Sequence, residues 1–251
     1  MTETDSIFQV KREDTYGLVA FLEPADLALY ESLIHQPLQM PEQPQVCFYF
    51  LNVTLPSVIY LEGAVTIRVR MEGREGWHLL DLCVDRFLPW IGNYFLSGYW
   101  KKFLADRLVS EPSGDGWVTR AIKKDDRMWL HMQFTPRDVA GMNLGEWQRG
   151  ALQSSENYWN EPLIGFRKAS RMSKIFYDLS LKLNRDFEKS LEIHETGQER
   201  DVYILDTSFT RPPRYSSRTG KVRICTESSR TWTRLVPPGV DTPGMFVRFT
   251  R

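Results

Sequence analysis

The longest unbroken alternation in the chain runs from Val58 to Met71. Ile59, Leu61, Gly63, Val65, Ile67, Val69 and Met71 fall on one side, with Tyr60, Glu62, Ala64, Thr66, Arg68 and Arg70 on the other. A period of two over this length predicts a strand with two distinct faces. Val46–Val53 predicts a strand before it. Trp77–Val84 predicts the returning strand after a turn at Glu72-Gly73-Arg74-Glu75-Gly76. Leu27, Tyr30, Leu33 and Ile34 recur at helical spacing behind Glu23-Pro24-Ala25-Asp26, which predicts a helix within Leu22–Ile34.

Further along, Arg86–Leu108 has helical character broken by several glycines, and reads as a loop–helix passage. Turns at Ser113-Gly114-Asp115-Gly116 and Asp125-Asp126 separate strands near Leu108, at Trp117–Ile122 and at Met128–Phe134, a meander of antiparallel strands. Gly141–Gln153 reads as loop. Met172, Ile175, Phe176, Leu179, Leu183 and Phe187 mark one stripe of a long amphipathic helix over Ser170–Leu191. Val202–Leu205, Val222–Cys225 and Met245–Phe249 return to strands. There are no repeats and no composition break. The expectation is one α+β domain over residues 1–251, with a polar N-terminal arm over 1–20 and a large curved antiparallel sheet flanked by helices.

Composition narrows the function classes. In 251 residues, 32 basic and 32 acidic side chains cancel, which gives no nucleic-acid footprint and no polybasic membrane patch. No run of about eighteen apolar residues is present, and the acidic, polar start lacks a signal-peptide core, so a cytoplasmic protein without a membrane partner is expected. Cys47, Cys83 and Cys225 lack metal-ligand spacing and read as small buried hydrophobes. His35, His78, His131 and His194 are too scattered for a metal site or a triad. Arg211–Arg218 is a locally basic segment that reads as a solvated loop. Aromatic residues make up 13% of the chain, enough to line an apolar pocket or an interface.

Two positions carry candidate chemistry. Lys101 and Lys102 are adjacent within Ser97-Gly98-Tyr99-Trp100-Lys101-Lys102-Phe103-Leu104-Ala105-Asp106, an aromatic and apolar setting. A lysine held there against a second cation tends to lose its proton near neutral pH, and a neutral amine forms imines with carbonyl compounds. Glu62 stands mid-strand, where Thr, Lys or Arg is commoner on an exposed face. Arg68 lies roughly 20 Å along the strand, too far to be its direct partner. If that face lines a cavity, burial raises the carboxyl pKa and suits it to proton transfer beside a reacting carbon.

Tyr60-Leu61-Glu62-Gly63, the Glu72–Gly76 turn, the lysine motif and Gln133-Phe134-Thr135-Pro136 together resemble the acetoacetate decarboxylase superfamily. The resemblance implies a cone- or barrel-like sheet, homo-oligomers and Schiff-base catalysis without metal or organic cofactor. It assigns Lys101 as the imine-forming lysine, Lys102 as its neighbouring cation and Glu62 as the active-site carboxylate. Tyr60, Tyr99, Trp100 and Arg12 become substrate-binding candidates. Trp100 stands where the family usually has Pro, and Cys47 falls near the position of a second acidic residue of the decarboxylase. These departures favour a keto acid or natural-product intermediate other than acetoacetate. The expected activity is that of a lyase promoting decarboxylation. The same imine could instead serve aldol condensation, dehydration or cyclisation, or the fold could act as a non-catalytic small-molecule binder. The plain reading of the lysine pair is a solvated helical face, and that of Glu62 an ordinary surface or salt-bridged strand residue.

Overall fold

The computed structural model describes residues 16–55, 58–87, 103–104, 107–113, 116–122, 128–136, 161–172, 174–175, 191–205, 215–217, 220–225 and 244–248. Strand β1 spans Tyr16–Leu22, helix α1 Leu27–Ser32, β2 Val46–Leu55, β3 Val58–Met71 and β4 Arg74–Val84. β5 covers Phe103–Leu104, β6 Arg107–Ser113, β7 Gly116–Ile122 and β8 Met128–Pro136. β9 spans Leu163–Lys168, β10 Leu191–His194, β11 Arg200–Leu205, β12 Tyr215–Ser217, β13 Gly220–Cys225 and β14 Gly244–Arg248.

Two sheets form among the described residues. The larger runs in the order β10-β11-β9-β4-β3-β2-β1-β14-β12, with β5 also on β4; the smaller runs β13-β8-β7-β6. The alternating segment is strand β3 with the bounds its pattern predicts. It is joined to β4 by a two-residue turn, since Met71 pairs with Arg74 and both Glu72 and Gly73 have positive φ, at 49° and 79°. That is the backbone of a type I′ turn, whose twist matches a right-handed hairpin. The meander is present as β6, β7 and β8, but it forms a sheet of its own, completed by β13.

The large sheet is mixed rather than purely antiparallel, because β5 and β9 both join β4 in parallel. Its path is open among the described residues, with no pairing between β10 and β12. Helix α1 is the named helix among the described residues, and Arg171, Met172, Lys174 and Ile175, at the start of the expected Ser170–Leu191 helix, are helical as well, with the Lys174 N–H donating to the Ser170 carbonyl at 3.0 Å. Phe103–Leu104 is a strand, against the helical reading of Arg86–Leu108, because β4 offers it a ladder, whereas Arg107–Ser113 is the strand expected near Leu108, paired with β7. Residues 88–102 and 176–190, the remainder of the two longer helical segments, lie outside the described residues, as does Gly141–Gln153. The basic Arg211–Arg218 segment contains β12, which pairs with β14.

Side chains explain the packing. Val46, Phe48 and Phe50 of β2 join Val65, Ile67, Val69 and Met71 of β3 in one cluster, with Tyr30, Leu38, Ile164, Val202 and Ile204. Burial of each such large side chain contributes about 1.5–3 kcal/mol. Leu108 of β6 enters the same cluster and fastens the smaller sheet to the larger. Asp26 caps α1 by accepting the Leu29 N–H at 2.9 Å. The Tyr30 hydroxyl ties that helix to the sheet by bonding the Arg68 carbonyl. Cys47 and Cys83 are buried free thiols, as expected of them. Among the described residues, no helix is long and apolar enough to cross a membrane, which leaves β-barrel spanning unaddressed.

The opposite face of β3 is covered too. Tyr60, Ala64 and Thr66 are buried like their counterparts Val65 and Ile67. One irregularity shapes this face. Between Val65 and Thr66 the partner register on β4 skips from Asp81 to Leu79, leaving Leu80 as the extra residue of a bulge.

Candidate active site

Alternation puts Tyr60, Glu62, Ala64, Thr66 and Arg68 on one face of β3. In the paired register, Glu62 stands between Leu51 of β2 and Val84 of β4, and Ala64 stands beside Tyr49. Ala64 offers only a methyl group, so nothing bulky separates the Tyr49 ring from the carboxylate one pair along. The Tyr49 hydroxyl donates to Glu62 Oε1 at 2.8 Å. Both Tyr49 and Tyr60 are 7% exposed, and Glu62 is half-buried.

Tyr60 approaches the same carboxylate along its own strand. Burial, then the charge of Glu62 and a hydrogen bond to it, then the charge of Asp85, push the Tyr60 phenol well above its usual pKa. It therefore remains a protonated donor. Asp85 follows the end of β4 and closes the hairpin on both sides of Leu61. Its backbone N–H donates to the Leu61 carbonyl at 3.2 Å, and its Oδ1 accepts the Leu61 N–H at 2.9 Å. Glu62 is therefore a half-buried carboxylate held by phenols rather than one on an open surface.

Arg68 serves a different partner set. It pairs with Glu75 at 2.7 Å and with Glu161, which immediately precedes Pro162 and β9. Its side chain is 12% exposed. Burial raises the Glu161 pKa, and the Arg68 charge only partly opposes that shift. The separation of Arg68 from Glu62 follows the strand spacing. His78 is structural, with Nδ1 2.9 Å from the Ile164 carbonyl oxygen and its ring edge-on to Phe166.

Of the residues singled out in the sequence, Glu62 and Tyr60 are brought together, whereas Arg12, Tyr99, Trp100, Lys101 and Lys102 lie outside the described residues. Tyr49 is the neighbour that sequence reasoning missed. The available signal was the spacing of β2 and β3, since Leu55 pairs with Val58 across two residues and that register carries Tyr49 to Ala64.

The family model for acetoacetate decarboxylase matches residues 11–146, a stretch containing every one of these candidates. The chain belongs to the acetoacetate decarboxylase family. None of the curated proteins matches the sequence. Among solved structures, it is similar to an acetoacetate decarboxylase at 13% identity and TM-score 0.61, covering 98% of this chain and 96% of that one. It is also similar to the acetoacetate decarboxylase of Legionella pneumophila, at 12% identity and TM-score 0.58 over 93% of this chain and 80% of that one. A third likeness is to the enduracididine biosynthesis enzyme MppR, complexed with the condensation product of pyruvate and imidazole 4-carboxaldehyde. That match has 10% identity and TM-score 0.56 over 93% of this chain and 82% of that one. At such identities these likenesses establish the family's fold, over nearly the whole chain.

Proposed function

We propose that the protein is a Schiff-base-forming enzyme acting on a small keto acid or a related biosynthetic intermediate, with Lys101 as the nucleophile. The Lys101 amine adds to the substrate ketone, and loss of water leaves an imine bonded to Lys101 Nζ. The protonated imine accepts the electron pair released when carbon dioxide or a proton leaves the adjacent carbon, giving an enamine. Glu62 takes or returns the proton on that carbon. Lys102 supplies the second cation that favours a neutral Lys101. Arg12, Tyr60, Tyr99 and Trp100 are the substrate-binding candidates.

The observation that carries this reading is a row across the sheet. Glu62 pairs with Val84, and Val84 pairs with Leu104 of β5. Two strand spacings separate Glu62 from Leu104, roughly 10 Å. Lys102 is bonded directly to Phe103, and covalent geometry alone holds the Lys101 Cα within about 7.6 Å of the Phe103 Cα. The row thus brings the strand that directly follows the lysine pair to two strand spacings from Glu62, which supports pairing the two groups in one site. The family match supports the chemistry. MppR, seen with a pyruvate condensation product, supports aldol condensation, dehydration or cyclisation as the alternative fate of the imine.

Borohydride trapping with a panel of β-keto and 2-oxo acids, read by intact mass and peptide mapping, tests the reading. A substrate-dependent adduct on Lys101 that is absent from Lys101→Ala is expected, and carbon dioxide release separates decarboxylation from the alternatives. An adduct on Lys102 would reassign the nucleophile. No adduct from any acid, with the protein folded, would leave a small-molecule binder.

A further inference from the structure

We propose that Tyr49 is a positioning residue for Glu62, its hydroxyl fixing the carboxylate in the orientation from which it accepts the proton of the reacting carbon. The inference rests on the reading of Glu62 as the proton-handling group. The geometry behind it is specific. Tyr49 donates to Oε1 at 2.8 Å, and its ring is buried, so the donor is fixed rather than drawn from solvent. Tyr60, which burial and the Glu62 charge keep protonated, bonds the same carboxylate. A carboxylate engaged by donors from β2 and from β3 loses its rotational freedom, and its charged form gains two hydrogen bonds that oppose desolvation.

Among the described residues of the strands flanking Glu62, the titratable groups near its row are Tyr49 on β2, Tyr60 on β3 and Asp85 beyond β4, with buried Cys47 further along β2. β5 contributes Phe103 and Leu104, neither of which titrates. A phenol suits the task because it supplies a donor without a positive charge. An arginine or lysine in its place would neutralise the carboxylate and weaken it as a base.

The test reads Glu62 directly. Protein labelled with 13C at the glutamate side-chain carboxyl is titrated by NMR, the Glu62 signal being assigned by its loss in Glu62→Gln. Tyr49→Phe is expected to move the Glu62 midpoint up by about one pH unit, as loss of a charge-assisted hydrogen bond requires. The more acidic 3-fluorotyrosine in place of Tyr49 donates more strongly and moves the midpoint down, which keeps a readout if Tyr49→Phe fails to fold. A midpoint unmoved in the folded variants overturns the proposal. The parallel assay follows exchange of the pyruvate methyl protons in D2O. Imine formation at Lys101, proton transfer to Glu62 and return of a deuteron account for that exchange. Absence of exchange in the unaltered protein counts against Schiff-base chemistry on pyruvate, while the NMR titration still decides the role of Tyr49.

Discussion

The two ends of one face of β3 hold carboxylates by opposite means. At the Arg68 end, Glu75 and Glu161 sit on a guanidinium, and the three side chains join β3, β4 and the approach to β9. At the other end, Glu62 is met by the hydroxyls of Tyr49 and Tyr60. A guanidinium cancels charge and fixes geometry, which serves assembly. Phenols fix geometry and leave the negative charge in place, which serves proton transfer. Identical carboxyl chemistry is thus structural in one setting and, under the proposed function, reactive in the other, with the partner deciding which.

The sharpest break of that comparison is Glu62→Gln. If the phenol-held carboxylate moves the proton, turnover or pyruvate proton exchange falls by about 10²–10⁴-fold while the thermal midpoint changes little. A stability loss with unchanged rate would place Glu62 with the structural carboxylates. Next comes Arg68→Ala, which strands two largely buried carboxylates. Urea unfolding should show a loss of about 3–5 kcal/mol, with borohydride trapping intact in whatever fraction folds. The smallest effect concerns Glu161. Its folded pKa is raised by burial, so ionisation is harder in the folded than in the unfolded chain. Its stabilising contribution is therefore present below the ordinary glutamate pKa and fades as pH rises through the folded value. Glu161→Gln should flatten that decline when urea midpoints are compared across mildly acid pH; an unchanged slope would mean that Arg68 fully offsets the burial.

The same contrast marks what the sequence made legible. Strand β3 could be read because both its faces alternate over fourteen residues with a turn at the end. That its second face is buried could not, because Tyr60, Ala64 and Thr66 are compatible with either environment. The parallel strands on β4 escaped for a different reason. β5 is two residues long, and the β9 segment Leu163–Lys168 gains its strand character from β4 and β11 rather than from its own pattern. Glu62 stood out as a charge in an apolar strand. Tyr49 did not, since an aromatic residue between Phe48 and Phe50 looks like core until the register assigns it to the other face.

Leu80 has a consequence for how the protein can change. By adding one residue to β4, it shifts the sequence parity of that strand, so that Val84 and Leu82 on one side of it and Leu79, Trp77 and Glu75 on the other all pair with the face of β3 that bears Glu62. Deleting Leu80 would make the ladder regular and leave Trp77 opposite Arg68, Glu75 opposite Arg70 and Glu62 opposite Val84, so the change would fall on the local twist of β4 rather than on its partners. The bulge therefore works as a twist joint between the ionic end and the phenol-held end, changing the angle between them without changing the partners of either.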